Sequence, residues 1–401
     1  MNVIVIGGGA AGMMAALTAA RGGHAVQVLE KQDRVGRKLM ATGNGRCNLS
    51  NLSEDPLSRY HGEQAAFVGP ALAALPPEET LRAFRELGLL TVTEPDGKVY
   101  PLSDQAGSVL DVLRFALDSA RVETRTGCGV EGVRCGKNGF RLETTEGPMT
   151  CDRVILCCGG LAAGKLGGSK SGYQLLESLG HSCTKLYPAL VQLRTDPTWV
   201  KSLKGVRADA ALTLRAGDKV LATGAGEVQF TEYGISGPAV FELSRHAAAG
   251  PTGQMLELDL LRSLEPGALE QLLAKRQQTM SGLTLENLLT GTVHNRLGRT
   301  LIRAAGYDLN APVQTLRAPD RKKIAATVHR FCLPVTGNQG MDAAQVTAGG
   351  IRTREFDPET LESRLVPGLY AAGEVLDIDG DCGGWNLQWA WSSGYLAGQL
   401  K

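Results

Sequence analysis

The start of the chain restricts its fold more than any other part. Asn2–Ile6 is a short apolar run, the pattern of a strand buried on both faces, and it leads straight into Gly7-Gly8-Gly9-Ala10-Ala11-Gly12. Met13–Arg21 follows, rich in alanine, methionine and leucine, and reads as a helix that Gly22-Gly23 ends. Ala25–Leu29 is a second apolar strand, with Glu30 at its end. Strand, glycine turn, helix, strand and acid in that order describe the first unit of a parallel, Rossmann-like α/β sheet.

Each part of this unit has a physical use. Gly7 allows the tight turn, Gly9 lets backbone approach a pyrophosphate, and Gly12 lets helix and strand come close. Ala10 and Ala11 place free N–H groups at a helix N-terminus, where the helix dipole favours phosphate. Glu30 is positioned to accept both ribose hydroxyls. The alternative is a tight turn with no ligand. The acid, eighteen residues beyond Gly12, favours an adenine dinucleotide.

After Glu30 the chain does not enter an ordinary helix. Lys31, Arg37 and Lys38 belong to a basic segment leading to a second glycine-rich loop, Thr42-Gly43-Asn44-Gly45-Arg46-Cys47-Asn48. That loop lets backbone approach a second flat group beyond the pyrophosphate, which points to FAD; a solvated turn is the alternative. Near the other end, three of the four tryptophans (Trp385, Trp389 and Trp391) follow directly on Gly383-Gly384 in a chain with only 5% aromatic residues. The glycines allow close approach to a large flat group. Of the tryptophans, one could face that group while the others pack a terminal helix.

Composition narrows the classes further. The 401 residues suffice for more than one domain, and a formal net charge of +1 makes no electrostatic case for nucleic acid or an anionic membrane as partner. No apolar run is long enough to span a membrane, and the N-terminus does not read as a secretory signal. The nine cysteines lack Cys-x-x-Cys spacing, so neither a metal site nor a dithiol is expected, and the compartment reads as reducing cytoplasm.

The segments GGGAAG, GRKLMATGNGRCNLSN, GEVQFTEYGISGP, VTAGGI and GLYAAGEVLDIDGDCGGWNLQWAWSSG together resemble the aminoacetone-oxidase-like, or BaiN-like, family of bacterial FAD-binding proteins, within the two-dinucleotide-binding-domain flavoproteins. The resemblance spans essentially the whole chain. It implies a discontinuous α/β FAD-binding domain of Rossmann type carrying an inserted domain. It also implies that the backbone at Val130 meets the adenine edge, that Gly159 closes the nucleotide fold, and that Glu374, after Gly373, bonds the ribityl chain. The amides of Asn386 and Leu387, after Gly384, would face the flavin N1–C2=O2 edge.

Texture changes near Tyr187. Ala210–Leu214 and Val220–Thr223 flank a hairpin turn at Ala216-Gly217-Asp218, and strand patterns give way to helical ones further on. We expect residues 1–187 and 345–401 to form the FAD-binding domain, and 188–344 to form an inserted α+β substrate or partner domain. Gly164–Ser171 imitates a phosphate loop, but Ser169 stands where the motif needs glycine. Only one complete G-x-G-x-x-G with its acid is present, so a dedicated nicotinamide domain is not expected. The expected function is an FAD-dependent oxidoreductase passing hydride between flavin N5 and a small organic substrate, with an external electron donor. The alternatives are a flavin enzyme that modifies tRNA and a non-enzymatic redox or regulatory module. No catalytic acid or base is identified: none of His24, His61, His181, His246, His294 and His329 falls in a flavin-facing motif. Cys47 reads as a packing or charge-transfer thiol rather than a redox one.

Overall fold

A computed structural model describes residues 1–136, 139–265, 267–280 and 282–401. The chain divides into two compact units, one of Met1–Tyr187 with Gln345–Lys401, the other of Pro188–Ala344.

The first unit is built on a five-stranded parallel sheet. Its order is Leu369–Ala371, Arg153–Leu156, β1 (Asn2–Ile6), β2 (Ala25–Glu30), Glu123–Thr126. β1 lies in the middle, which explains its unbroken apolar run: Val3, Ile4, Val5 and Ile6 are all buried. Between β1 and β2 runs helix α1 (Ala10–Arg21), longer at its start than the sequence pattern suggests because the glycine turn winds directly into it. The terminal helix, Trp385–Gly398, lies against α1 at backbone distance. A Cβ placed on Gly394 would stand 2.4 Å from the Ala11 carbonyl oxygen, and one on Gly398 would stand 2.5 Å from that of Ala15. Glycines one turn apart on this helix are therefore what lets the two ends of the chain meet.

The tryptophans lock that helix in place. Trp389 Nε1 donates to the Gly373 carbonyl at 3.1 Å, and Trp391 Nε1 donates to that of Leu49 at 2.9 Å. Trp391 meets Phe84 edge-on with centroids 5.0 Å apart, and Tyr60 donates its hydroxyl to the Trp385 carbonyl at 3.0 Å. All three indoles are buried in the core of the unit. Each buried indole N–H that is paired avoids a desolvation cost of about 1–3 kcal/mol.

The second unit has its own core. Its strands close into an antiparallel barrel in the order Leu193–Thr195, Gly234–Ser236, Lys219–Phe230, Arg207–Ala216, Gln254–Asp259, Phe331–Asn338 and back to the first. Gly217, with φ of 56°, turns the long hairpin. The helices Pro238–Ala249, Ala268–Thr279, Asn295–Ala304 and Ala318–His329 complete it. Closure adds to the α+β module read in the sequence: it pairs the edges that short strands would otherwise expose, and strand length and spacing alone do not reveal it.

Candidate functional site

The carboxyl ends of β1, β2, Arg153–Leu156 and Leu369–Ala371 lie along one edge of the parallel sheet, so Gly7, Glu30, Gly159 and Gly373 all follow strand ends there. The glycines in the first turn are required by the protein itself. A Cβ on Gly7, where φ is +107°, would lie 2.4 Å from the Cys157 carbonyl oxygen, and one on Gly12 would lie 1.9 Å from that of Gly7. Gly9 differs, because a Cβ there would meet no protein atom within 4 Å. The open side of the turn is therefore at Gly9. The first intrahelical bond, from Met13 N to the Gly9 carbonyl at 2.9 Å, leaves the amides of Ala10, Ala11 and Gly12 without helical acceptors, and no side chain caps them.

Glu30 is held from both sides. Its Oε2 accepts from Gly8 N and its Oε1 from Gln32 N, each at 2.8 Å. Each oxygen keeps a further lone pair for a hydroxyl. Gly127 N donates to the Gln32 carbonyl at 2.7 Å and Cys128 N to that of Glu30 at 3.0 Å. These bonds bring Val130, first residue of the strand Val130–Gly136, close to the end of β2.

The basic segment is tied to the turn after Gly159. Lys31 Nζ bonds Ser169 Oγ. Arg37, at the start of helix α2 (Arg37–Ala41), donates to Gln32 Oε1 at 2.6 Å and to the Lys165 carbonyl at 3.0 Å, while its buried Nε has no partner. Lys38 Nζ lies 2.6 Å from Glu374 Oε2. Glu374 Oε1 accepts from Thr347 N at 2.9 Å, and a Cβ on Gly160 would come within 2.4 Å of that oxygen. Two site residues read independently from opposite ends of the sequence thus form one ion pair, a coupling that no local pattern carries.

The second glycine loop divides. Gly43 and Asn44 adopt left-handed backbone with φ near 56° and 57°, and a Cβ on Gly45 would meet nothing within 4 Å. Arg46 turns aside: it bonds Asp104, lies 3.2 Å from Glu94 and stacks 4.0 Å over the Tyr100 ring. Three protein partners thus occupy a guanidinium that the sequence assigned to the cofactor. Cys47 is fully buried, and burial pushes its thiol up to about 12.

At the start of the terminal helix, Gly384 has φ of +104° and a Cβ there would lie 2.4 Å from the Ser50 carbonyl oxygen. The first intrahelical bond is Gln388 N to the Gly384 carbonyl at 2.9 Å, and again no side chain caps the end. The Leu387 side chain packs on the core. The Asn386 side chain is spent on the preceding turn, donating to the Gly380 carbonyl at 2.7 Å and accepting from Gly380 N at 2.9 Å. On that turn, Asp381 Oδ1 lies 2.7 Å from His61 Nε2, and Oδ2 lies 3.8 Å from Arg59. Sequence reading missed this histidine–aspartate pair because its members are 320 residues apart.

An uncapped helix start, open glycines at Gly9 and Gly159, and a carboxylate anchored by two amides at one sheet edge, with an open Gly45 and a second uncapped helix start after Gly384 elsewhere in the unit, fit an elongated dinucleotide. The molecule is a flavoprotein: its Rossmann-like unit binds FAD, and it is an FAD-dependent oxidoreductase. The HI0933-like protein Rossmann domain family matches residues 1–400, and the chain belongs to that family. It is 41% identical to the 3-dehydro-bile acid delta(4,6)-reductase of Clostridium scindens, over 100% of this chain and 98% of that protein. It is 29% identical to the ribosomal RNA dihydrouridine synthase of Escherichia coli, over 99% of this chain and 97% of that protein. Among solved structures it is similar to the 3-ketosteroid-delta4-(5alpha)-dehydrogenase of Rhodococcus jostii, with 15% identity, a TM-score of 0.49, and 100% and 96% of the two chains covered.

Proposed function

We propose that the protein reduces a carbon–carbon double bond conjugated to a carbonyl in a small, largely apolar molecule, with a steroid-like 3-ketone as the best candidate. The observation that carries this reading is the 41% identity, end to end, to a reductase of 3-dehydro-bile acids. When bound, FAD supplies the hydride, taken first from an external donor such as a reduced nicotinamide. The protein's own part is to hold the cofactor and bias its charge. Ala10, Ala11 and Gly12 offer amides to the pyrophosphate, and Glu30 accepts the adenosine ribose hydroxyls. Val130 lines the adenine, and the amides of Asn386 and Leu387 meet the edge of the flavin that gains negative charge on reduction. Lys38 and Glu374 act there as one unit, so the ribityl contact falls to a carboxylate already neutralised by its partner. The inserted unit provides the substrate or partner surface. A reducing cytoplasm suits nine cysteines that are all free thiols. Among the described residues no helix is long and apolar enough to cross a membrane.

A ribosomal RNA base is the second reading, supported by the 29% identity to dihydrouridine synthases. The two substrates share their chemistry, because the 5,6 double bond of uracil is also conjugated to a carbonyl. A mild excess of base in residues 188–344, 18 Lys and Arg against 14 Asp and Glu, suits this reading but is small for a protein that must grip phosphates. The deciding experiment reduces the bound flavin anaerobically and adds either a 4,6-dien-3-one steroid or a ribosomal RNA transcript. Prompt return of the oxidised spectrum with the steroid, and a product two mass units heavier, is the expected result. Reoxidation by the transcript alone would move the assignment to RNA. Release of FMN rather than FAD on denaturation would remove the cofactor assignment.

A further inference from the structure

We propose that His61, held by Asp381, is the acid of this reaction: its Nδ1–H delivers the proton that completes the reduction. The proposal rests on the reading above and deepens it by naming a group that the sequence did not reveal.

The pair has the geometry of a proton donor. The Nε2 edge of His61 is fixed 2.7 Å from Asp381 Oδ1, while Nδ1 has no protein partner among the described residues. The two side chains are 25% and 22% exposed, so the ring is oriented by its partner yet still open to water, from which it can be reprotonated. His181 is the instructive contrast. Its ring also pairs with a carboxylate, Nδ1 lying 3.0 Å from Glu355, but Nε2 lies 2.9 Å from the Ser363 hydroxyl and the side chain is fully buried, so it has no nitrogen left to act.

Position makes the same case. His61 pairs with Asp379 in a short antiparallel ladder, and Asp379 leads through Asp381 into the glycine turn of the terminal helix. Asn386, in the first turn of that helix, clamps the carbonyls of Gly380 and Asp381 at 2.7 and 3.3 Å. The three residues from Asp381 to Gly384 span at most ~10 Å. The imidazole is thus bolted to the helix start assigned to the flavin's N1–C2=O2 edge. The charged groups around it are Asp381, Arg59 and Asp379, with Asp377 taking the Glu63 amide at 3.0 Å and Glu63 paired with Arg352.

Hydride arriving at the β-carbon leaves negative charge on the carbonyl oxygen and the α-carbon. The Nδ1–H bond of the imidazolium then breaks as the α-carbon–H bond forms, and the neutral imidazole recovers a proton from water. Both electrons of the hydride come, through FAD, from a reduced nicotinamide or a similar two-electron donor. In this scheme His61 is catalytic and Asp381 is a positioning residue.

The test uses the holoenzyme, reduced with dithionite and mixed anaerobically with a 4,6-dien-3-one steroid or with 2-cyclohexen-1-one. His61→Gln should slow reoxidation by the enone that wild type accepts ~100-fold or more. Ferricyanide, which takes electrons without protonating carbon, should reoxidise variant and wild type alike. Imidazole should restore part of the enone rate to His61→Ala, and His24→Gln should match wild type. A readout without turnover is the charge-transfer absorbance of oxidised holoenzyme with 4-chlorophenol, a mimic of the enol; binding should weaken ~10-fold in His61→Gln. If His61 variants do not fold, Asp381→Asn should show slower enone reoxidation with ferricyanide unaffected. Equal enone rates in wild type and variant, unchanged phenol binding, or an equal loss with ferricyanide would each overturn the proposal. A wild type that neither enone reoxidises would overturn the functional reading and this inference with it.

Discussion

Two helices of the first unit begin at glycine turns, and the two turns are built on different terms. At α1 the demands are mostly local: Gly12 must clear Gly7 five residues earlier and Glu30 is anchored by Gly8 and Gln32, and the one distant demand is that Gly7 clear the Cys157 carbonyl. At the terminal helix most partners come from far along the chain: Ser50 beneath Gly384, Leu49 accepting the Trp391 indole, Phe84 and Tyr60 against the rings, with Gly373 beneath Trp389 the nearby exception. The first turn is a motif that a short segment can specify. The second is an assembly that exists only once the chain has folded. A substitution in the first should therefore act on the cofactor through backbone geometry. One in the second should act mainly on stability.

The largest effect should follow from Gly12→Val. Even the Cβ would stand 1.9 Å from a carbonyl oxygen that the turn cannot move, and the remaining methyls worsen the clash. The expected outcome is protein that purifies without flavin or does not accumulate, read from the flavin-to-protein absorbance ratio. A yellow, stable variant would mean that the turn is far softer than its contacts indicate. Trp391→Ala should come next, costing about 3–5 kcal/mol in urea unfolding, because a large buried ring and its bond to Leu49 are both lost. Its flavin spectrum should stay that of wild type. Unchanged stability with a strong rise in flavin fluorescence would place the ring on the cofactor and erase the contrast between the two turns.

Glu30→Ala sharpens the first half of the comparison. It removes the acceptor for two backbone amides as well as for the ribose, so FAD should bind ~10–100-fold more weakly, or about 1–3 kcal/mol, when apoprotein is titrated. Stability without cofactor should change less than in Trp391→Ala. Wild-type affinity in this variant would withdraw the ribose role.

What could be read in advance follows the same division. The sheet, the cofactor class and the residues of the first turn are legible because strand, turn and acid are contiguous and each depends on backbone geometry. The terminal tryptophans are only half legible: their spacing shows one helix, but whether an indole faces a ligand or Phe84 is set by chain three hundred residues away. Arg46 illustrates the converse. Its place in a glycine loop suggests the cofactor, yet Asp104 and Tyr100 capture it, and neither lies near it in sequence. His61 and Asp381 were invisible for the same reason, as was the ion pair of Lys38 with Glu374. The barrel of the second unit escaped because closure depends on which strands pair first and last, not on their individual patterns.

The smallest expected effect concerns Cys47, which sits in the loop beside the second turn yet is buried like a core residue. Burial raises its thiol from an ordinary 9.0 to about 12, so the group is neutral at any working pH. The folded value lies above the unfolded one, so burial of the neutral thiol adds stability that is complete below about pH 9 and is lost as pH climbs toward 12. Across the neutral range, Cys47→Ala should therefore leave the flavin spectrum and its pH dependence unchanged, with only a modest loss of stability for the missing sulfur. Iodoacetamide at pH 8, followed by peptide mapping, should modify the exposed Cys135 long before Cys47. Early labelling of Cys47, or bleaching of a long-wavelength flavin band as it is labelled, would show a thiolate at the cofactor. The loop would then belong with the first turn, as a part of the site that acts on the flavin directly, and not with the distant packing that holds the second.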